Sequence, residues 1–253
     1  MSKPSETFRN RLRNSELLVG TFVKTPSSIV AEVLARSKLD LHCIDAEHAP
    51  FGRLETDHCV AAFRSAGIPV LVRVPSDSPH DIRNALDSGA TGILVPHVTG
   101  AEQAQAIVKA AHYGDGGRGY AGSTRAAEFS SKSMPNHLAD SREQTTVIVQ
   151  IEDIAALDHV AEIAAVEGVD ALFVGRIDLA VAMGKPVLDK AVITAVRTVC
   201  DAAKSAGTAL GMFTPDFAEI PGWIESGASL FILGSDQGFI LSGANALAER
   251  VRR

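Results

Sequence analysis

The stretch PVLVRVPSDSPHDIRNALDSGATGILVPHV, residues 69–98, carries the pattern that decides the fold. PVLVRV (69–74) is an apolar run of strand length, Ser78-Pro79 is a helix start ahead of HDIRNALDSG, and GILVPHV (92–98) is a second apolar run. Proline suits the first helical turn, where a backbone N–H would have no acceptor within the helix. Gly89 then ends the helix, because a residue without Cβ takes the required positive φ at no steric cost. Strand, helix and strand in this order form the βαβ unit of a parallel sheet.

The alternation continues on both sides. LLVGTF (17–22), LHCIDA (41–46), TVIVQI (146–151), ALFVG (171–175), TALGMF (208–213) and LFILG (230–234) bring the apolar runs to eight. Thr25-Pro26 and Thr99-Gly100 are further helix starts, and Gly67, Gly207 and Gly227 are further stops. Eight strands with helices between them predict an α/β fold of the (β/α)8 TIM-barrel type, whereas an open doubly wound sheet usually stops at five or six. No linker-like tract divides the chain, so residues 1–253 are expected to form one barrel domain. The irregular stretch at about 113–145 is too long for a plain loop. It is expected to be an excursion with short helices of its own, following the fourth strand on the active-site face.

Composition narrows the function classes. The 24 basic side chains are scattered among 30 acidic ones for a formal charge of −6, which leaves no basic face for a nucleic-acid backbone. No apolar stretch approaches the roughly 20 residues of a membrane span, and the first residues lack the apolar core of a signal peptide. A cytoplasmic protein is expected. Cys43, Cys59 and Cys200 are too few and too widely spaced for a disulfide framework or a zinc motif, and are expected to be reduced, mostly buried thiols.

Barrel interiors are apolar, so charged residues at the C-terminal strand ends are where chemistry is sought. The second strand ends in Asp45-Ala46-Glu47-His48; Arg73, His97, Gln150, Glu152, Asp178 and Ser235-Asp236 stand at or beyond later ones. Glu152 and Asp178 follow neighbouring strands. Together they would suit a hard divalent cation, the other reading being two solvated loop carboxylates. His48 is a natural general base, and Arg73 is a fixed cation able to stabilise a developing oxyanion. Gly175-Arg176-Ile177-Asp178-Leu179 reads as a turn into a helix whose free N–H groups could face a carboxylate. YGDGGRGYAG (113–122) lacks the ending of a phosphate loop and reads as a flexible active-site loop, with Arg118 and Arg125 contacting substrate or bracing it. No lysine ends the sixth strand, as a Schiff-base aldolase of that kind would need, and Lys24 is expected to be exposed. His42, His58, His80, His112, His137 and His159 are expected to be structural.

Taken together, the residues resemble the HpcH/HpaI aldolase/citrate lyase family, the class II metal-dependent pyruvate aldolases. The resemblance runs through GTFVKTPSS (20–28), IDAEHAP (44–50), VRVP (72–75), ALDSGATGILVPHV (85–98), AEQAQAIVKAAHY (101–113), GGRGYAGSTRAAEF (116–129), VIVQIED (147–153) and VEGVDALFVGRIDLAVAMG (166–184). It implies a barrel of the phosphoenolpyruvate/pyruvate-binding type. The implied activity is reversible cleavage of a 4-hydroxy-2-oxo acid to pyruvate and an aldehyde. It further implies that Glu152 and Asp178 ligate Mg²⁺, Mn²⁺ or Co²⁺, which pyruvate chelates through its ketone and carboxylate oxygens. His48 would be the acid/base, oriented by Asp87, and Arg73 would stabilise the enolate oxygen. Gln150 would contact pyruvate or metal-bound water, and backbone amides along Gly175, Arg176, Ile177 and Asp178 would hold the carboxylate.

The chain departs from the family pattern at three places. Gly175-Arg176-Ile177-Asp178-Leu179 stands where many members read Gly-Pro-x-Asp-Leu, His97 stands where methionine is common, and Glu128-Phe129-Ser130 replaces an aromatic-Gly. These changes bear on the aldehyde half, with Arg176 and His97 suited to an additional substrate carboxylate; His97, Arg118, Arg125 and Phe213 are the candidates for aldehyde choice. The likeness also implies a hexamer, a trimer of dimers, in which the helix at about 238–253 packs on a neighbour. Its stripe of Leu241, Ala244, Leu247, Ala248 and Val251 needs a cover, from its own barrel or from another subunit. Two further readings are a CoA-thioester lyase of the citrate/malyl-CoA type and a non-catalytic keto-acid-binding barrel. The last has no need for His48, Arg73, Glu152 and Asp178 together.

Overall fold

The computed structural model describes residues 7–252. Eight strands, β1 (Leu18–Val23), β2 (Leu41–Asp45), β3 (Val70–Arg73), β4 (Gly92–Val95), β5 (Thr146–Ile151), β6 (Ala171–Val174), β7 (Ala209–Met212) and β8 (Ala228–Ser235), close in sequence order. All neighbours are parallel, and β8 pairs with β1. The helices before the excursion are α1 (Phe8–Arg13), α2 (Ser28–Leu34), α3 (Arg53–Ser65), α4 (Pro79–Asp87) and α5 (Ala101–Ala111). Then come α6 (Met134–Gln144), α7 (Ile154–Leu157), α8 (Val160–Ala164), α9 (Arg176–Ala182), α10 (Lys190–Ala206), α11 (Ile220–Glu225) and α12 (Asp236–Arg252). The expected stops at Gly67, Gly89, Gly207 and Gly227 all have positive φ.

Side chains alternate across a strand, and that parity divides the core in two. Leu18, Leu41, Cys43, Leu71, Leu94, Ile148, Ala171, Phe173 and Leu230 fill the barrel, with Phe8 and Leu12 of α1 packed in the same cluster. Val23, Ile44, Val70, Val72, Ile93, Val147 and Val149 face outward into a second cluster under the helices. The inward parity continues to the strand ends, so Phe22, Asp45, Arg73, Gln150 and Phe213 inherit positions at the mouth. Cys43, Cys59 and Cys200 are free and buried, and burial pushes their thiols up to about 12, 11 and 11.

The excursion contains one helix, α6, after a left-handed turn at Glu128–Ser130 whose φ angles are all positive, and its face differs from expectation. It leaves the C-terminal end of α5 and enters β5, which puts it at the N-terminal end of the barrel, away from the mouth. A helix that begins beside one strand's C-terminal end returns the chain to the start of the next strand, and only βα loops reach the mouth. Contacts agree with this placement: Arg118 pairs with Asp87 at the last residue of α4, and the Ala126 N–H donates to the Asp87 carbonyl at 3.2 Å.

The stripe on α12 is not covered by its own barrel. Leu241, Leu247 and Val251 are exposed, as are Phe239 and Ile240, while Asp236 anchors the helix by accepting from the N–H groups of Lys24 (2.7 Å) and Thr25 (3.0 Å). No helix among the described residues is long and apolar enough to cross a membrane.

His42 faces outward from β2, fully buried and stacked on Phe63 of α3 with ring centroids 4.5 Å apart. Burial pushes its imidazole down from 6.5 to about 4. Between those values the unfolded chain takes up a proton that the folded chain refuses, so stability is full above pH 6.5 and falls toward pH 4. The loss is roughly 3 kcal/mol. Urea unfolding across this range should show a steeper loss of stability in the wild type than in His42→Phe, with His112 and His137, also held down by burial, contributing to both.

Candidate active site

A cavity of about 380 Å³ opens at the C-terminal ends of the strands. Phe22, Asp45, Arg73, Gln150, Phe173, Phe213 and Gly234 line it, each by the inward parity of its strand. The turn into α9 contributes Gly175, Arg176, Ile177 and Asp178, and the loop after β2 contributes His48. Lys24, expected to be exposed, is partly buried and also lines the cavity: its Nζ lies 3.2 Å from Asp45 Oδ2.

Asp45 organises this side of the mouth. Its enclosed carboxylate accepts from Arg73 Nε (3.0 Å), lies 2.9 Å from Arg73 Nη2, and accepts from the His48 N–H (3.1 Å). Burial disfavours the charge, but Arg73, the His48 N–H and Lys24 outweigh it and hold Asp45 below the ordinary carboxylate range. The Arg73 guanidinium also lies over the Phe22 ring, 4.8 Å from its centroid, and is thereby fixed in place. The His48 ring remains half-exposed, with Nε2 3.5 Å from Glu47 Oε2.

The opposite side is rich in carboxylate. Glu152 is buried beside Gln150, whose Nε2 donates to Glu152 Oε2, while the His97 N–H donates to Glu152 Oε1 at 2.9 Å. Burial raises the Glu152 pKa above its ordinary value against the pull of these donors. Gly175 is required here, because a Cβ at that position would lie 2.6 Å from Glu152 Cβ and 2.8 Å from Glu152 Oε2. Ligand atoms of Glu47, His97 and Glu152 all lie within 4.8 Å of one another, a set able to hold a metal ion. Asp178 is exposed on the cavity wall and close enough for its charge to act on Glu152, but it lies outside that triad.

Several expected site residues have other partners. Asp87 binds Arg118 rather than His48, because α4 starts near the mouth and ends at the opposite face of the barrel. Arg125 binds Asp57 of α3, so both arginines brace the excursion in this chain. Arg176 lines the cavity but is almost enclosed, donating to Glu219 at 3.1 and 2.8 Å and lying over Trp223. Its charge is already compensated. His97 stands among Glu47, Glu152 and Asp153, surroundings that suit a cation better than a further substrate carboxylate.

Fold and mouth together define a (β/α)8 enzyme with a guanidinium and an imidazole facing a carboxylate-rich pocket. The chain belongs to the HpcH/HpaI aldolase/citrate lyase family, whose model matches residues 18–242. A hydroxypyruvate/pyruvate aldolase of Roseovarius nubinhibens is 35% identical over 93% of this chain and 93% of its own. A 5-keto-4-deoxy-D-glucarate aldolase of Salmonella arizonae is 34% identical over 97% of this chain and 96% of its own. The crystal structure of a family member from Burkholderia cenocepacia J2315 superposes with a TM-score of 0.91 at 34% identity, covering 97% of this chain and 98% of that one.

The close fit of Gly175 over Glu152 can be tested by one methyl group. Gly175→Ala should retain the far-UV CD spectrum of the wild type while divalent-cation affinity falls about 10- to 100-fold, as for disturbed ligand orientation at other metal sites. Isothermal titration with Mn²⁺ measures it, and unchanged affinity would show that Glu152 has room to move.

Proposed function

We propose that the chain is a divalent-cation-dependent pyruvate aldolase that reversibly cleaves a 4-hydroxy-2-oxo acid to pyruvate and an aldehyde. The observation that carries this reading is the buried Glu152 carboxylate under Gly175, with Glu47 and His97 in ligand reach, next to a cavity holding Arg73 and His48. Aldolase relatives at 34–35% identity over most of the chain favour it over a thioester lyase. Glu152 would hold the ion, with Asp178 and Glu47 as further carboxylate donors; Mg²⁺, Mn²⁺ and Co²⁺ all suit such ligands. When bound, the cation supplies Lewis acidity at the 2-oxo oxygen.

The chain's own residues account for the remaining steps. Arg73 is locked by Asp45 through Nε and Nη2, which leaves Nη1 without a hydrogen bond among the described residues and available to a substrate oxygen. The fixed guanidinium stabilises the negative charge that develops as the carbon–carbon bond breaks. His48, with its ring half-exposed at the cavity, takes the proton from the 4-hydroxyl group, directly or through one water. The bonding electrons pass to pyruvate enolate, the aldehyde leaves, and protonation of the enolate methylene gives pyruvate. Gln150 and the first backbone N–H groups beyond Gly175 orient the keto acid. Phe22, Phe173 and Phe213 form an apolar wall that keeps bulk water from the enolate.

On this reading the enzyme is cytoplasmic and works as a homo-oligomer, a hexamer built from dimers, in which another subunit covers the exposed stripe on α12. Pyruvate release from a panel of 4-hydroxy-2-oxo acids, coupled to lactate dehydrogenase, tests the proposal. EDTA-treated protein should be inactive, added Mn²⁺, Mg²⁺ or Co²⁺ should restore turnover, and Glu152→Ala should lower it at least about 100-fold. Full turnover by metal-free protein would refute the mechanism.

A further inference from the structure

His97 closes the carboxylate side of the mouth in an unusual backbone conformation. It follows Pro96 beyond β4 with φ at 56°, in the left-handed region that few side chains bearing a Cβ occupy. That turn aims the His97 N–H at Glu152 and lays the ring between carboxylates: Nδ1 is 3.0 Å from Asp153 Oδ2, and Nε2 is 3.6 Å from Glu47 Oε1. The Glu47 side chain is only 10% exposed, and its Oε2 accepts no hydrogen bond. Arg73 Nε, 3.3 Å from that oxygen, is already committed to Asp45. Oε2 thus faces Arg73 and His48, which leaves Oε1, the oxygen toward His97, as the ligand atom for a cation between Glu47, His97 and Glu152.

We propose that His97 is a nitrogen ligand of the divalent cation, joining Glu152 and Glu47, with Asp153 as the carboxylate that orients the ring. Asp153 accepts from Nδ1–H, which fixes the tautomer and leaves the Nε2 lone pair for the ion, as outer carboxylates do for many metal-bound histidines. The inference rests on the aldolase reading and deepens it. Imidazole suits Co²⁺ and Zn²⁺ and gives Mg²⁺ little, since Mg²⁺ prefers an all-oxygen shell. The chain should therefore favour transition-metal ions over Mg²⁺ more strongly than a site built from carboxylates alone.

Pulsed EPR of Mn²⁺-loaded protein reads this ligand directly, without turnover. The wild type should show ¹⁴N coupling from a directly bound imidazole, retained in His48→Gln and lost in His97→Asn, whose side chain tolerates the same left-handed backbone. Competition titrations should show the preference for Co²⁺ over Mg²⁺ dropping about 10-fold or more in His97→Asn. Bound Mn²⁺ without ¹⁴N coupling in the wild type, or coupling that survives in His97→Asn, would overturn the proposal while leaving the aldolase reading intact. Mn²⁺ binding that is absent, or indifferent to Glu152→Ala, would overturn both.

Discussion

The buried pair of Asp45 and Arg73 is the constraint on which the active mouth depends. Asp45 is the last residue of β2 and Arg73 the last of β3, placed side by side by the register of those strands. Two charges enclosed at the top of an apolar barrel are stable only in company, and removing one partner of such a pair typically costs about 3–5 kcal/mol. The same carboxylate fixes the start of the loop that carries Glu47 and His48 and draws Lys24 in from the end of β1. One side chain thus sets the position of the guanidinium, the imidazole and a carboxylate of the triad.

Charge is divided across the mouth in a way that suits the chemistry. On one side, Asp45 holds both Arg73 and Lys24, which leaves an excess of positive charge, while Arg176 is paired with Glu219. On the other, Glu47, Glu152 and Asp153 converge on His97, and Glu47 also reaches toward Arg73 and His48. An anionic keto acid entering such a pocket needs a bridging cation on the second side and finds a fixed guanidinium on the first. The apolar barrel beneath keeps both sides rigid, because its interior is filled from Leu18 to Leu230.

Much of this was legible in the sequence, for a physical reason. Parallel strands covered by helices read as continuous apolar runs, and helix ends at Gly67, Gly89, Gly207 and Gly227 mark the spacing between them. Period-two parity within those runs then places Arg73 and Gln150 inward with Leu71 and Ile148. What stayed hidden depends on contacts between distant segments. Arg118 reaches Asp87 across 31 positions and Glu219 reaches Arg176 across 43, and local pattern carries no trace of either. The face occupied by the excursion could have been inferred from its place after α5 rather than directly after β4. Glu47 was legible as a strand-end carboxylate, but its place beside His97 and Glu152 depends on contacts across 50 and 105 positions.

The central claim is that this mouth forms pyruvate enolate with help from a bound divalent cation, whatever aldehyde it uses. Proton NMR of pyruvate in D₂O isolates that half of the chemistry, since enolisation exchanges the methyl protons for deuterium without any acceptor. Exchange should be undetectable above the buffer rate in EDTA-treated enzyme, should appear when Mn²⁺ or Co²⁺ is added, and should vanish in Glu152→Ala. Exchange that proceeds equally well in metal-free protein, or in Glu152→Ala, would contradict the account.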